Sequence, residues 1–517
     1  MNKSINSSDS FMENRTATLI LGISGRIGSG ASFITKAMME EAKAFGYQPV
    51  EIKVTKWFLE KDYCCLTDLE SNVCLVIKDI LRTISNDNQS ENKNRSDKAQ
   101  RIIDLQDKGN KLRNRYQRDD IFAALSIVYI AEHLGKNSAF ENKNARYLYI
   151  IDSLKHPDAV KLLRKVFGAA FYMIGAVAND SVRKRRLKDQ KHITSIEFEE
   201  ISQLDSGEKG KNGQQTKKTV LESDYFFENN YDTPEKINQE CKRFLSLIFQ
   251  STIVTPKQDE YGMQLAFSAA DKSACLSRQV GAAIISENSQ ILSTGYNDVP
   301  QFGGGLYTSE SISDNRCFAK SGMCYNDIEK KLIADEIIKA IKGDITDEQS
   351  KKIKETLLTE TRLRQLIEFS RAVHAEMDAI VTVARSGIVG IVGSTMYVTT
   401  YPCHNCAKHI IDSGIKRVVF LEPYEKSLAL KLHSDSINNP LEECKCDKVS
   451  FDNYGGVAPK RYAELFSMHQ DRKQDSKLIR KSFEKEKLFP LNAQDSSVLK
   501  FRLQKFKTWF EEWAENS

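Results

Sequence analysis

Residues 370–387, SRAVHAEMDAIVTVARSG, and residues 399–414, TTYPCHNCAKHIIDSG, decide how the second half of this chain folds. Each stretch predicts a helix, with His374 at the start of the first and Cys403 and Cys406 at the start of the second. Two cysteines three positions apart at a helix start point the same way, and a histidine from a neighbouring helix can reach them. The pattern therefore predicts a metal site with ligands from two helices.

The ligand types favour zinc, because a catalytic Zn²⁺ takes three imidazole or thiolate ligands and keeps a fourth position open for water. H-x-E followed by P-C-x-x-C matches the signature of zinc nucleobase deaminases. Glu376 is the expected catalytic residue, since it can carry a proton from the activated water to a ring nitrogen. The alternative is a closed structural zinc site, for which His404 and His409 are the nearest fourth ligands.

Residues 277–300, SRQVGAAIISENSQILSTGYNDVP, are similar to the opening of deoxycytidylate deaminases, in which a hairpin ends in a G-Y-N motif. The resemblance implies that Asn297 contacts the substrate, a task for which a side-chain amide has both a donor and an acceptor. The alternative is that Asn297 and Asp298 only form a turn. Tyr424 follows a predicted strand and is a second candidate for substrate contact.

The N-terminal stretch 16–46, TATLILGISGRIGSGASFITKAMMEEAKAFG, predicts a strand, a glycine-rich turn and a helix. The turn has the glycine spacing of a phosphate-binding P-loop, and the domain resembles nucleotide kinases in outline. Ala31 replaces the P-loop lysine, so we do not expect efficient phosphoryl transfer. We expect a regulatory or nucleotide-binding site for ATP or GTP with Mg²⁺; a tight turn without a ligand is the alternative. The expected binding residues are Gly25, Gly28, Gly30, Ser32 and Asp152, under a lid of Arg183, Arg185 and Arg186.

Other apolar runs complete an α/β fold class. The runs at 145–154 and 169–178 predict strands of a parallel sheet that is buried on both faces. We expect an N-terminal P-loop kinase-like parallel-sheet domain followed by a cytidine-deaminase-like α/β/α domain. The second half has predicted strands at 280–286 and 291–297, which form a hairpin, and at 394–400 and 417–423. The expected domains are 1–205, P-loop kinase-like; 206–235, a linker; 236–470, the deaminase domain; and 471–517, a charged helical tail.

Residues 416–437 and 451–466, taken with the N-terminal domain, resemble the bacterial anti-phage cytidine deaminases that act on dCTP and dCMP. The resemblance covers most of the chain. It implies zinc-dependent deamination of deoxycytidine nucleotides that depletes the pool a phage needs. The implied partners are the nucleotide substrate, an inhibitory RNA or protein, and further copies of the same chain in a homo-oligomer.

Composition narrows the remaining possibilities. A chain of 517 residues is too long for a single hydrophobic core, so we expect more than one domain. Its residues are 40% hydrophobic and 28% charged, and it has no long apolar run. This composition predicts soluble cytoplasmic domains with no membrane partner. A deaminase that edits RNA or DNA is the alternative function, but a net charge of +5 gives no sign of the basic, aromatic-lined channel it needs. An active kinase joined to a binding module is a third possibility, which Ala31 and the intact metal motif disfavour.

The eleven cysteines, without an export signal, argue against a disulfide framework. Outside the metal motif, four of them form two close pairs in the sequence. These are either a second, structural zinc site or, as we expect, ordinary free thiols. They are Cys317, Cys324, Cys444 and Cys446.

Overall fold

The computed structural model forms two compact units. The first unit comprises Met1–Pro256 and Gly455–Ser517, and the second comprises Lys257–Tyr454. The residues that the structure describes are 15–59, 95–140, 142, 145–206, 214–230, 233–341, 343, 345–424, 427–438, 447–469, 471–479, 489–491, 493 and 495–515.

The first unit is built on a six-stranded sheet with the order β11-β5-β4-β1-β3-β2. Strands β1 to β5 are parallel to one another, whereas β11 lies at one edge of the sheet and is antiparallel to β5. A separate two-stranded ribbon, β12 with β13, follows later in the chain. The strands are β1 Leu19–Gly25, β2 Gln48–Lys53, β3 Tyr147–Asp152, β4 Phe171–Val177, β5 Tyr225–Glu228, β11 Gly456–Val457, β12 Lys473–Gln474 and β13 Lys477–Leu478.

Continuous apolar runs explain the centre of this sheet. Every residue of β1 is buried, and β3 and β4 are buried along almost their whole length, because helices cover both faces of a parallel sheet. The predicted strands at 145–154 and 169–178 are therefore confirmed, as is the strand, turn and helix predicted over 16–46.

Helices of the first unit pack on both faces of the sheet, and the last of them closes one core. Leu499, Leu503 and Phe510 of this final helix are buried in the core cluster that contains Ile151. The helices are α1 Ala31–Ala44, α2 Asp97–Tyr116, α3 Ile121–Lys136, α4 Pro157–Phe167, α5 Asp180–Lys191, α6 Ser195–Ser206, α7 Thr216–Leu221, α8 Pro234–Phe249, α16 Tyr462–Phe466 and α17 Ser496–Glu515.

The second unit has a five-stranded sheet with the order β10-β9-β8-β6-β7. The predicted hairpin is confirmed, since β6 and β7 are antiparallel, whereas β8, β9 and β10 run parallel to one another. The strands are β6 Gly281–Ile285, β7 Ile291–Tyr296, β8 Thr395–Thr400, β9 Arg417–Glu422 and β10 Ser450–Asn453. The helices are α9 Gln258–Ala270, α10 Cys317–Lys320, α11 Tyr325–Ala340, α12 Asp347–Glu360, α13 Ala375–Ser386, α14 His404–Asp412 and α15 Ala429–Leu432.

The unit boundaries differ from the predicted domain boundaries. The range 206–235, predicted as a linker, contains α7 and the buried strand β5. The second unit ends at Tyr454 rather than at residue 470, because β11 pairs with β5 in the sheet of the first unit. The predicted tail contains α17, which contributes to the first unit's core. These short or late elements are held by pairing with distant segments, which local sequence patterns do not reveal.

Among the described residues, no helix combines the length and the apolar character that crossing a membrane would require.

Candidate active site

Two helix starts in the second unit bring together the three predicted zinc ligands. His374 is the N-cap residue of α13, and Cys403 is the N-cap residue of α14, with Cys406 in the first turn. Both caps have extended backbone conformations, so their side chains lie at the ends of the helices rather than along them. Helix starts carry partial positive charge, which stabilises thiolates there.

The donor atoms have the spacing that a tetrahedral zinc ion needs. His374 Nδ1 lies 3.3 Å from Cys406 Sγ and 3.4 Å from Cys403 Sγ. Zinc bonds of about 2.3 Å to sulfur and about 2.0 Å to nitrogen at tetrahedral angles place such atoms about 3.6 Å apart. Among the described residues, no fourth His, Cys, Asp or Glu joins this group. Three donors fit an open site better than a closed one.

The charges of the three donors are strongly coupled. The Cys406 thiol donates a hydrogen bond to Cys403, and this bond, with the neighbouring His374, lowers the pKa of Cys403 to about 4. The same bond raises the pKa of Cys406, and burial adds to that effect. Hydrogen bonding to Cys403 raises the pKa of His374 to about 9. A lowered pKa at Cys403 favours the thiolate, the form of cysteine that binds a metal.

Glu376 lies in the first turn of α13, beside the three donors. It is only 4% exposed, and burial raises the pKa of its carboxyl group. Its carboxyl group also contacts the Cys406 side chain. With His374 and Cys403, Glu376 lines a cavity of about 180 Å³. A carboxyl group with a raised pKa at the wall of a cavity is suited to carrying protons.

Asn297 and Tyr424 line the same cavity. The Asn297 side chain is tied to the backbone, since its Oδ1 accepts a 2.7 Å hydrogen bond from Val280 N and its Nδ2 donates a 2.9 Å bond to Arg278 O. One lone pair and one N–H of the amide remain for a ligand. Burial raises the pKa of the Tyr424 hydroxyl, so it stays protonated and can donate a hydrogen bond.

The glycine of the G-Y-N motif sets how closely β7 approaches α13. A Cβ atom at Gly295 would lie 2.4 Å from both Ala375 O and Ala379 N, so only glycine fits between the strand and the helix. The close approach holds Asn297, two residues further on, near His374. The resemblance identified this motif, and the structure supplies its physical reason.

Two residues on the cavity wall escaped the sequence analysis. Arg278 lines the cavity and forms an ion pair with Glu422. Asn326 also lines it, and its Nδ2 donates a 3.0 Å hydrogen bond to Leu366 O, while its buried Oδ1 has no partner among the described residues. Asn326 lies in the long stretch between β7 and α13, where no local pattern marks a binding residue.

The predicted nucleotide-binding residues of the first unit lie at the carboxyl ends of β1 and β3. The loop after β1 has left-handed backbone conformations at Gly28 and Gly30, with φ values of 82° and 89°. Ser32 Oγ donates a 3.1 Å hydrogen bond to Asp152 Oδ2. Gly25, Gly28, Gly30 and Ser32 line a cavity of about 690 Å³.

The predicted arginine lid is wrong for Arg183. This side chain is 0% exposed, and its Nε donates a 2.8 Å hydrogen bond to Ile27 O while Nη1 pairs with Asp180. Arg183 therefore stabilises the glycine-rich loop from the protein interior and does not cover a ligand. Arg186 does line the cavity, and its Nη1 donates to Gly28 O.

The second zinc site finds no support in the described residues. Cys317 and Cys324 have free thiols that form no cluster of three or more potential ligands within the described part of the chain. Cys444 and Cys446, the other two predicted ligands, lie outside the described residues.

The second unit thus brings His374, Cys403 and Cys406 together beside Glu376, a set of donors that fits an open zinc site. Residues 256–422 match the family model described as the cytidine and deoxycytidylate deaminase zinc-binding region. The chain belongs to the cytidine and deoxycytidylate deaminase family, whose members deaminate nucleotides by hydrolysis.

Two phage enzymes show the extent of the similarity. The chain is 35% identical to the deoxycytidylate deaminase of Enterobacteria phage T4, over 32% of this chain and 78% of that protein. It is 34% identical to the deoxycytidylate deaminase of Enterobacteria phage T2, over 37% of this chain and 93% of that protein. The dCMP deaminase of cyanophage S-TIM5, solved with dCMP and dUMP, matches at 20% identity over 39% of this chain and 99% of that chain, with a TM-score of 0.23.

Proposed function

We propose that the second unit removes the 4-amino group of cytosine from dCTP and dCMP by hydrolysis. The products are ammonia and dUTP or dUMP. One observation carries the proposal: three zinc-type donors, His374, Cys403 and Cys406, lie together beside the buried carboxyl group of Glu376. The family to which the chain belongs supports cytosine as the base.

In this mechanism His374, Cys403 and Cys406 would hold the metal. A bound zinc ion lowers the pKa of a nearby water molecule to about 7. Glu376 accepts a proton from the attacking water and delivers it to N3 of cytosine, while the water oxygen bonds to C4. Glu376 then moves the second proton from that oxygen to the 4-amino nitrogen. The C4–N4 bond breaks, ammonia leaves, and the base becomes uracil.

Asn297 and Tyr424 bind the nucleotide in this proposal. Asn297 and Glu376 line the same cavity, so one substrate can contact both residues, and the Asn297 amide keeps one lone pair and one N–H for that contact. Because backbone bonds hold the amide on both sides, its orientation is fixed before the substrate arrives. Such preorganisation reduces the entropic cost of binding.

We also propose a ligand for the first unit and a role for the enzyme in the cell. The loop Gly25–Ser32, with Asp152, binds a nucleotide with Mg²⁺, and deamination depletes the deoxycytidine nucleotide pool in defence against phage. The sequence resemblance supports the defensive role. The inhibitory RNA or protein, the homo-oligomer and the cytoplasmic location stay predictions from the sequence.

The test of deamination uses dCMP, dCTP, CTP and a cytosine-containing oligonucleotide as substrates. Each is incubated with the wild type and with Glu376→Ala, and uracil products are detected directly. We expect conversion of dCTP or dCMP that the substitution lowers by at least 10²-fold, the usual contribution of a general acid–base residue. Conversion of the oligonucleotide alone, weakened steeply by added salt, would instead establish polynucleotide editing.

A further inference from the structure

The 690 Å³ cavity of the first unit lies where α/β sheets bind ligands. Its floor is the carboxyl edge of the parallel strands, between β1 and β3, and the glycine-rich loop forms one wall. Open parallel sheets place their ligands outside the carboxyl ends of the strands. The inference below rests on the nucleotide binding proposed for this loop and names the residues that would make it possible.

The loop itself supplies backbone amides but no cation, because Ala31 stands in the lysine position. Lys53 lines the same cavity from β2, which pairs with β3. It ends β2 and is the register partner of Asp152 on β3. Its Nζ lies 3.8 Å from Asp152 Oδ2, the same oxygen that accepts the hydrogen bond from Ser32 Oγ. The side chain is 32% exposed and lines the cavity.

A second lysine shows how the positive charge is concentrated. Lys191, at the end of α5, also lines the cavity. Burial lowers its pKa, and the nearby charges that lower it further are all positive: Arg101, Lys53 and Lys98. Of these cations Lys53 and Lys191 both line the cavity, and two like charges there favour a polyanion, since a bound phosphate chain would relieve their repulsion.

Another part of the cavity lining suits a nucleobase. It is apolar at Ile102, Leu105 and Phe122, and Gln106 lies among these residues. Gln106 Nε2 donates to Ile201 O, which fixes the amide orientation, and its buried Oε1 has no partner among the described residues. A buried acceptor without a partner destabilises the fold, and a hydrogen-bond donor on a base would satisfy it.

We propose that this cavity binds a nucleoside triphosphate, with Lys53 supplying the positive charge that the glycine-rich loop lacks and Gln106 contacting the base. Lys53 and the loop then face the phosphates from two strands, instead of from the single strand, turn and helix of an ordinary P-loop.

The test measures binding to the zinc-loaded full chain by isothermal titration calorimetry with Mg²⁺. The probes are ATP, GTP, dTTP and inorganic tripolyphosphate, none of which contains cytosine. At least one nucleotide should bind, and Lys53→Ala should weaken it at least tenfold. Lys53→Arg should keep most of the affinity. The matched control is Lys36→Ala, on the exposed side of α1, which should change the affinity less than twofold.

Each result decides one part of the inference. Equal affinities for Lys53→Ala and Lys36→Ala, with melting temperatures like the wild type, would overturn the role of Lys53 while leaving nucleotide binding intact. If no probe binds, the nucleotide site itself is overturned. Gln106→Leu should weaken the nucleotide but not tripolyphosphate; equal losses for both would exclude contact with the base. Conversion of dCTP is assayed separately, so failure of the deamination proposal is recognised independently.

Discussion

Ser32 and Asp152 are joined by a 3.1 Å hydrogen bond although 120 residues separate them in the sequence. The bond ties the first turn of α1 to the carboxyl end of β3. Because Asp152 is fully buried, its carboxylate depends on such partners to offset the loss of water. The pair thus holds Ser32, which lines the cavity, in place against the sheet.

Removing this hydroxyl should weaken both the fold and nucleotide binding. Ser32→Ala leaves one oxygen of a buried carboxylate with less compensation, and we expect a loss of about 1–2 kcal/mol in the free energy of unfolding. Mg²⁺-dependent binding of the triphosphate should fall as well. Ser181→Ala is the control, since Ser181 Oγ is also buried without a partner among the described residues and lies outside the glycine-rich loop. Equal losses of stability and affinity in both variants would show that the hydrogen bond between Ser32 and Asp152 is not the cause.

Gly295→Ala should impair the active site through backbone displacement. The added methyl group would meet Ala375 O and Ala379 N, so α13 must move and carry His374 and Glu376 with it. We expect a loss of about 1–3 kcal/mol in stability, with kcat/KM falling at least tenfold. Thermal unfolding and initial rates with dCMP measure the two effects.

The control is Gly135→Ala in α3, where a Cβ atom would meet nothing within 4 Å. Alanine is favoured over glycine in a helix by about 1 kcal/mol, so this variant should be at least as stable as the wild type. Full activity of Gly295→Ala would show that the helix and strand can separate without harm.

Cys406→Ser should release the metal. A serine hydroxyl is a poor zinc ligand at neutral pH, and the two remaining donors cannot hold the ion well. Zinc measured by atomic absorption should fall from about one ion per chain to a small fraction of that, and deamination should fall with it. A chelator should inactivate the wild type, and added zinc should restore it.

Cys324→Ser is the matched cysteine control and should keep the zinc content of the wild type. A fall from about two ions to about one in this variant would show that Cys324 binds a second zinc ion. Unchanged zinc in Cys406→Ser would contradict the ligand assignment.

Glu197→Gln should destabilise the first unit in a pH-dependent way. Burial opposes ionisation of Glu197, but hydrogen bonds from Ser96 and Thr194 outweigh it and lower its pKa to about 2. Because the folded pKa lies below the unfolded value, the carboxylate stabilises the fold above about pH 4.5. That contribution is lost as the pH falls towards 2.

At pH 7 the substitution should cost about 1–3 kcal/mol, and the gap from the wild type should narrow below pH 4.5. Denaturant unfolding at pH 7 and pH 3.5 measures this gap. Glu199→Gln, in the same helix but mostly exposed, should have little effect at either pH. A gap that stays constant between the two pH values would mean that the charge of Glu197 does not matter.

The sequence was sufficient where local geometry decides the outcome. The positions of His374, Cys403 and Cys406 follow from helix starts, and a helix start is written into a few adjacent residues. The hairpin of β6 and β7 and the buried strands β1, β3 and β4 are local in the same sense. The G-Y-N motif was recognised by resemblance, because the clash that requires Gly295 involves a helix 80 residues later.

Non-local pairing set the limit of prediction. The four-residue strand β5 follows a polar stretch and is a strand only because it lies beside β4. Lys53 carries no motif, and its importance depends on the register between β2 and β3. Arg183 was assigned to a lid because sequence gives charge but not direction, and its side chain turned out to be internal.

The first unit is made of two stretches of the chain that are separated by the second unit, so the two units are completed at different times during translation. The second unit is one continuous stretch and has all its residues once Tyr454 has emerged from the ribosome. The first unit must wait for Leu499, Leu503 and Phe510 of α17, even though most of its residues were made earlier. Domains generally fold as units during translation. If synthesis stopped after Tyr454 but before Leu499, the chain would contain every residue of the second unit. Its first unit would still lack the part of its core that α17 provides.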